Sequence, residues 1–253
     1  MTTTDETIAF VAGATGYTGR SVVEQLRQRA VRTIAHVRPD SKSLAEWRTR
    51  FEALGAELDT TAWEQDAMTA TFARLRPTHV FALLGTTRKR AAQAKREGRD
   101  VEAESYDHVD YGMSVMLIGA AKSAGARPRY VYLSAAGVPE SPTGNAYYDA
   151  RSRVERELKE SGLPFTIARP SIITGDDRDE NRPGEQIGAN FLDAAMSVAA
   201  AFGATKLRDR YHSIDGKTLA AALVTVALDA SFEGKTVDGE TLRSVIHEAA
   251  RPA

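Results

Sequence analysis

The chain contains no cysteine, so disulfides, thiolate nucleophiles and cysteine-ligated metals are excluded. Its five histidines show no spacing that suggests a metal site; His212 alone is a candidate to lie near a substrate, and a structural role suits it better. Charge of one sign is also missing: 33 Lys and Arg stand against 34 Asp and Glu, a formal charge of −1 that gives no general field for nucleic acid or an anionic membrane. No stretch approaches the roughly twenty apolar residues of a membrane span. Residues 1–6 lack the positive region and apolar core of a signal peptide. These absences predict a soluble cytoplasmic protein with neither nucleic-acid nor membrane partners. No Pro/Gly/Ser tract, composition break or internal repeat divides the 253 residues, so a single domain is expected.

What is present is concentrated near the start. An apolar run over Ile8, Ala9, Phe10, Val11 and Ala12 leads into Gly13, Ala14, Thr15, Gly16, Tyr17, Thr18 and Gly19, after which Val22, Val23 and Leu26 fall at helical spacing. A second strand-like run from Thr33 to Val37 completes a strand-helix-strand unit. Three glycines at this spacing let a backbone turn tightly, approach a pyrophosphate and pack a helix against a strand. The helix start then offers N–H groups to the phosphates, so a dinucleotide is the expected ligand. Beyond the second strand, where an NAD site places a carboxylate for the ribose 2′-hydroxyl, the chain has Arg38, Pro39, Asp40, Ser41 and Lys42. Arg38 and Lys42, with Arg20 in reach, favour the 2′-phosphate of NADP, and NAD is the less favoured cofactor. The alternative is that both cations are solvated and Asp40 turns to the ribose.

Apolar periodicity continues the alternation. Helices are predicted through Leu44, Trp47, Phe51 and Leu54, from Gln65 to Leu75, over 109–124 and over 145–161. Strands are predicted near Ala56, Glu57 and Leu58, from Thr78 to Leu84, from Tyr130 to Leu133 and from Phe165 to Ala168. The fold class is therefore α/β, a doubly wound parallel sheet covered on both faces, with ligands at the carboxyl ends of its strands. Leu84, Gly85, Thr86 and Thr87 lie at one such end and Ser134 at another, both placed to face the nicotinamide half of the dinucleotide. Thr86 and Thr87 could equally cap the next segment, and Ser134 could be a turn residue. Between 88 and 107 a basic run is neutralised by Glu97, Asp100, Glu102, Glu104 and Asp107, which reads as a solvated, partly helical excursion placed to act as a flap.

On the helix over 145–161, Tyr147, Arg151, Val154 and Leu158 share a face that should look inward, while Tyr148, Ser152, Glu155 and Lys159 should look outward. A cation one turn from a phenol favours phenolate and brings its proton transfer nearer neutral pH. Carbonyl reduction needs this chemistry: hydride to carbon, a proton from Tyr147 to oxygen, and a hydroxyl, Ser134, to orient that oxygen. The pair could also be a surface stack.

The glycine motif, the Ser134, Tyr147 and fourth-residue cation set, and Ile167, Ala168, Arg169 and Pro170 resemble the atypical and extended branches of the short-chain dehydrogenase/reductase superfamily. Leu84, Gly85, Thr86, Thr87 and Arg88, with Asn181, Arg182, Pro183, Gly184 and Glu185, are similar to the subgroup that includes the Tat-interacting oxidoreductase. The resemblance covers about residues 7–230 and implies a Rossmann fold and NADPH. It also implies cofactor contacts from Gly13, Thr15, Gly16, Tyr17, Thr18, Gly19, Arg38, Lys42, Leu84, Gly85, Thr86, Thr87, Arg151 and Pro170. Tyr147 matches the catalytic tyrosine, but Arg151 stands where the family has lysine and Ala135 replaces the second of a serine pair. The adenine-contacting Asp is missing, with Thr60 and Thr61 near its place.

Beyond Pro170 the alternation loosens, and about 171–253 is expected to form a small substrate-binding portion on the cofactor core of about 1–170. Phe191, Met196, Phe202 and Tyr211 are candidates for an apolar cavity, although core packing also explains them. The reading is an NADP-dependent oxidoreductase of a small carbonyl or alcohol, with Tyr147, Arg151 and Ser134 as catalytic residues. A weakly active or inactive NADP(H) sensor and a nucleotide-sugar epimerase or dehydratase are the alternatives. Small-molecule substrate is expected; a protein partner or a second copy of the chain is left open.

Overall fold

The computed structural model describes residues 6–171, 173–174 and 214–249. Strands and helices alternate as β1 (Ile8–Ala12), α1 (Tyr17–Gln28), β2 (Arg32–His36), α2 (Leu44–Ala53), β3 (Glu57–Asp59), α3 (Gln65–Leu75), β4 (His79–Ala82) and α4 (Arg88–Arg96). A π-helix (Tyr106–Gly112) then runs into α5 (Met113–Ser123), followed by β5 (Arg129–Leu133), α6 (Ala146–Glu160) and β6 (Phe165–Arg169). A short parallel pair, β7 (Ile173–Thr174) with β8 (Ile214–Asp215), precedes α7 (Gly216–Leu228), β9 (Lys235–Asp238) and α8 (Gly239–Ala249).

Seven strands form one sheet in the order β3-β2-β1-β4-β5-β6-β9, with every neighbouring pair parallel. The chain winds from β1 outward through β2 and β3 on one side, then returns to β4 and winds the other way. The carboxyl ends of β1 and β4 therefore border the crevice where such sheets bind ligands.

Strand alternation builds the two layers. Ala9 and Val11 of β1 join Val22, Val23 and Leu26 of α1 with Leu219, Leu223 and Val226 of α7 in one core. Phe10 and Ala12 face the other, with Met68 and Phe72 of α3, Leu117 of α5, and Val154 and Leu158 of α6. Helix α7 packs along α1, and the contact is close because position 216 is glycine: a Cβ there would lie 2.2 Å from the Tyr17 ring.

From β1 to β6 most elements fall where the periodicity puts them, whereas β7, β8, β9 and α8 were not anticipated. The helix expected over 109–124 begins as the π-helix and is regular only from Met113 to Ser123. The last strand, β9, was not anticipated because Val237 is its one buried residue, too little alternation to mark a strand. Through β9, α7 and α8, residues 214–249 return to the main body and complete it.

Candidate active site

The glycine turn is tight because its backbone leaves no room for side chains. Gly13 has φ of +80°, and a Cβ on it would sit 2.5 Å from the Leu83 carbonyl oxygen; one on Gly19 would sit 2.1 Å from the Gly13 oxygen. The Gly16 N–H closes the turn on the Gly13 carbonyl at 3.0 Å. Gly16 is also the N-cap of α1 and has no side chain to offer the first N–H groups, so that helix end suits an anion, as a pyrophosphate-binding turn requires. Thr15 is half-buried and Thr18 buried, and the Tyr17 ring packs on Gly216 with the Arg20 guanidinium 5.5 Å from its centroid.

Beyond β2, Arg38 and Lys42 are both exposed, whereas Arg20 is only 8% exposed. The Arg38 side chain is half-exposed, with Asp40 at 3.8 Å. Asp59, passed over in favour of Thr60 and Thr61, ends β3 in a buried position and accepts the Thr61 N–H at 3.1 Å and hydroxyl at 3.0 Å. Buried His36 lies beside it, its Nε2 at 2.8 Å from the Thr61 carbonyl. Burial holds the His36 pKa below the usual imidazole range; the Thr61 carbonyl and Asp59 oppose this only in part.

At the end of β4, Leu84 is buried and Gly85 exposed. Thr86 is buried, its N–H bonded to Asp110 Oδ2 at 2.9 Å and its hydroxyl 3.4 Å from Glu104. Thr87 caps α4 by accepting the Arg90 N–H at 3.2 Å.

Helix α6 starts at Asn145, whose Oδ1 accepts the Tyr147 N–H at 3.1 Å. Tyr147 is half-buried; its ring meets Tyr106 and Tyr148 edge-on at 5.5 and 5.2 Å, and the Arg151 Cζ lies 4.7 Å from its centroid. Arg151 is 7% exposed, donating from Nη1 to the Leu133 carbonyl at 2.5 Å and from Nη2 to Asp110 Oδ1 at 3.0 Å. Among the described residues its buried Nε has no hydrogen-bond partner, nor has the buried Tyr132 hydroxyl. Burial works to lower the Arg151 pKa, but Tyr147, Tyr132 and Asp110 together raise it, so the guanidinium stays charged. Asp110 is pushed up by burial, with Arg151 and the Thr86 N–H pulling the other way. Burial likewise raises the Tyr132 phenol, against the pull of Arg151.

Tyr147 and Arg151 thus come together, and Ser134 does not join them. Its hydroxyl is buried and donates to Glu155 Oε1 at 2.6 Å, and it shares no hydrogen bond with Tyr147. This corrects the helical faces: Glu155, expected to point outward, is 2% exposed. It receives Arg169 from β6 through Nε at 2.9 Å and Nη2 at 2.6 Å, with Lys159 at 3.7 Å, and the guanidinium fork compensates the buried carboxylate. Pro170 is buried and its carbonyl accepts the Ala136 N–H at 2.9 Å.

Residues 13–201 match the family model described as NAD(P)H-binding. The chain belongs to this NAD(P)H-binding family. No curated protein matches it in sequence. Solved structures do match the family fold. A candidate NAD-dependent epimerase/dehydratase of Bacillus halodurans superposes with a TM-score of 0.64 at 18% identity, covering 96% of this chain and 99% of that one. The NADPH-dependent quinone oxidoreductase of Escherichia coli, in complex with NADPH, gives 0.57 at 20% identity over 91% and 68% of the two chains. The triphenylmethane reductase of Citrobacter sp. gives 0.58 at 19% over 92% and 68%. At these identities the likeness is one of fold.

Within the family fold, the partners that organise the tyrosine corner are the residues sequence reasoning missed. Tyr106 and Asp110 come from the π-helix, Glu155 from α6 and Arg169 from β6, and the one available signal was the Asp110 carboxylate at helical spacing with Met113 and Leu117. Among the described residues no cluster of His, Asp and Glu is set to hold a metal, and no helix is long and apolar enough to cross a membrane. Asn181, Arg182, Pro183, Gly184, Glu185, Phe191, Met196, Phe202, Tyr211 and His212 lie outside the described residues.

Proposed function

We propose that the protein is an NADPH-dependent reductase of a small carbonyl compound, with Tyr147 as proton donor. The observation that carries this reading is the phenol with a permanently charged guanidinium 4.7 Å from its ring centroid, at the carboxyl end of a sheet that opens on a three-glycine turn. The turn of Gly13, Thr15, Gly16, Tyr17, Thr18 and Gly19 would hold the pyrophosphate through backbone N–H groups. Arg38 and Lys42 would pair with the 2′-phosphate, which favours NADPH over NADH. Leu84, Gly85, Thr86, Thr87 and Pro170 would border the nicotinamide half. NADPH held there would supply the hydride for the carbonyl carbon. Tyr147 delivers its hydroxyl proton to the carbonyl oxygen, and Arg151 favours the phenolate left behind. Ser134 has its own proton committed to Glu155, so it offers a substrate only lone pairs unless that bond opens.

That commitment also favours a second reading, a sensor that binds NADP(H) and turns over little. Following NADPH oxidation across a carbonyl panel separates the two. The reductase reading expects turnover that falls by about 10²- to 10⁴-fold in Tyr147→Phe with NADPH affinity retained. Tight NADPH binding with no turnover against any carbonyl supports the sensor, and no NADPH binding by folded protein removes both.

A further inference from the structure

Asp110 is a buried carboxylate that the proposed reaction does not use, and its two oxygens face different segments. One accepts the Thr86 N–H at 2.9 Å, in the loop that follows β4; the other accepts Arg151 Nη2 at 3.0 Å, on α6. The space is filled to contact: a Cβ on Gly85 would lie 3.3 Å from that Nη2 and 3.5 Å from the Asp110 oxygen. With Leu133 taking the other terminal nitrogen, the guanidinium is pinned flat between a strand end, the π-helix and the Tyr147 ring. Asp110 is the buried residue of the π-helix, with Asp107 and His108 exposed beside it.

We infer that Asp110 is the positioning residue that holds the Arg151 guanidinium beside Tyr147 and sets how much of its charge the phenol feels. The inference deepens the reduction proposed above and rests on it for its consequence in turnover. Among the described residues, the titratable or charged groups against this phenol are Arg151 and Tyr148 on its own helix, Tyr106 on the π-helix and Tyr132 on β5, and Asp110 reaches it through Arg151. Arg151 is the nearer charge and favours phenolate; Asp110, behind it, offsets part of that effect. The signs of the variants follow. Asparagine keeps an oxygen for Arg151 Nη2, so Asp110→Asn removes the opposing charge without releasing the guanidinium and strengthens its hold on the phenolate, whereas removing both charges weakens it.

The test reads the phenol directly, by NMR titration of isotope-labelled tyrosine in the full chain without substrate, with the Tyr147 signal assigned from Tyr147→Phe. In Asp110→Asn the Tyr147 signal is expected to titrate at lower pH than in the parent, and in Asp110→Asn/Arg151→Met at higher pH. Replacing a buried ion pair by neutral groups of similar volume is the better tolerated change, so the double variant keeps the test available if the single one does not fold. A folded Asp110→Asn protein whose phenol titrates as in the parent, or a double variant whose phenol does not move up, overturns the inference and leaves Asp110 a structural residue. Both readouts are independent of turnover, so a protein that reduces no carbonyl still decides them. Where turnover is found, the pH profile of kcat in Asp110→Asn shifts toward acid by the same amount.

Discussion

The glycine turn and the tyrosine corner lie at the same edge of the same sheet and are built on opposite plans. In the turn, the proposed cofactor binding resides in the backbone: Gly13, Gly16 and Gly19 matter for what they lack, and side chains are excluded by carbonyl oxygens 2.1 to 3.2 Å away. In the corner, the proposed proton transfer resides in side chains held by other side chains. Arg151 answers to Asp110 and Leu133, Ser134 to Glu155, and Glu155 to Arg169, so that four segments meet. The lesson is that a binding site made of main chain is local in sequence, whereas a proton-transfer site made of buried charges is not. Buried charges must find opposite charges wherever the fold brings them.

The sharpest way to break the comparison is to put a side chain into the turn. Gly19→Ala places a methyl against the Gly13 carbonyl, a backbone group that cannot swing away, so the turn must shift. An ångström of displacement is enough to expect a loss of NADPH affinity on the order of 100-fold, measured by calorimetry. Unchanged affinity would show that the turn is softer than its contacts imply.

The corresponding change in the corner is Glu155→Gln, which keeps the shape and removes the charge that Arg169 and Lys159 face. Hydrogen bonds to charged groups are worth about 1.5–3 kcal/mol, and the loss should lie at the lower end because the Arg169 side chain is 26% exposed. Urea unfolding reads it, and a midpoint that does not move would mean packing alone holds this part of the corner.

A smaller effect is expected from Arg38→Ala. Arg38 is exposed and screened, so its loss should weaken NADPH by about tenfold while leaving NADH within about twofold. Equal losses for both nucleotides would remove Arg38 as the 2′-phosphate partner and leave Lys42 to test next.

The smallest effect concerns the imidazoles beneath the sheet end and at β4. Burial holds both His36 and His79 below the ordinary His value of 6.5. The unfolded chain therefore binds protons that the folded one refuses. The stability this gives is complete above pH 6.5 and is lost as pH falls from there toward the depressed folded values. Unfolding midpoints across this window should decline toward acid, and the decline should be blunted in His36→Gln.

The two plans also explain what could be read in advance. The order of β1 to β6 and their helices was legible because each element buries one face, and burial at a period of two or 3.6 marks itself in the sequence. The turn was legible for the same local reason, three glycines between an apolar strand and an amphipathic helix. Tyr147 and Arg151 were legible as an i,i+4 pair. Glu155 was misplaced because helical spacing puts it with Tyr148 and Lys159 on the polar side, and nothing in that stretch announces that Arg169 and Ser134 reach over from β5 and β6 to pair with it. Asp110 falls at helical spacing with buried Met113, Ser114 and Leu117, but nothing near it in the chain names Arg151, 41 residues on, as its partner.

The amino-acid sequence by itself determined the alternating α/β order, the glycine turn and the neighbouring phenol and guanidinium, because each depends on residues within one or two turns of chain. The tertiary structure alone decided which buried charges neutralise which: Asp110 with Arg151, and Glu155 with Arg169 and Ser134. Coulomb pairing in a low-dielectric interior depends on distance through space, and separation along the chain carries no record of it.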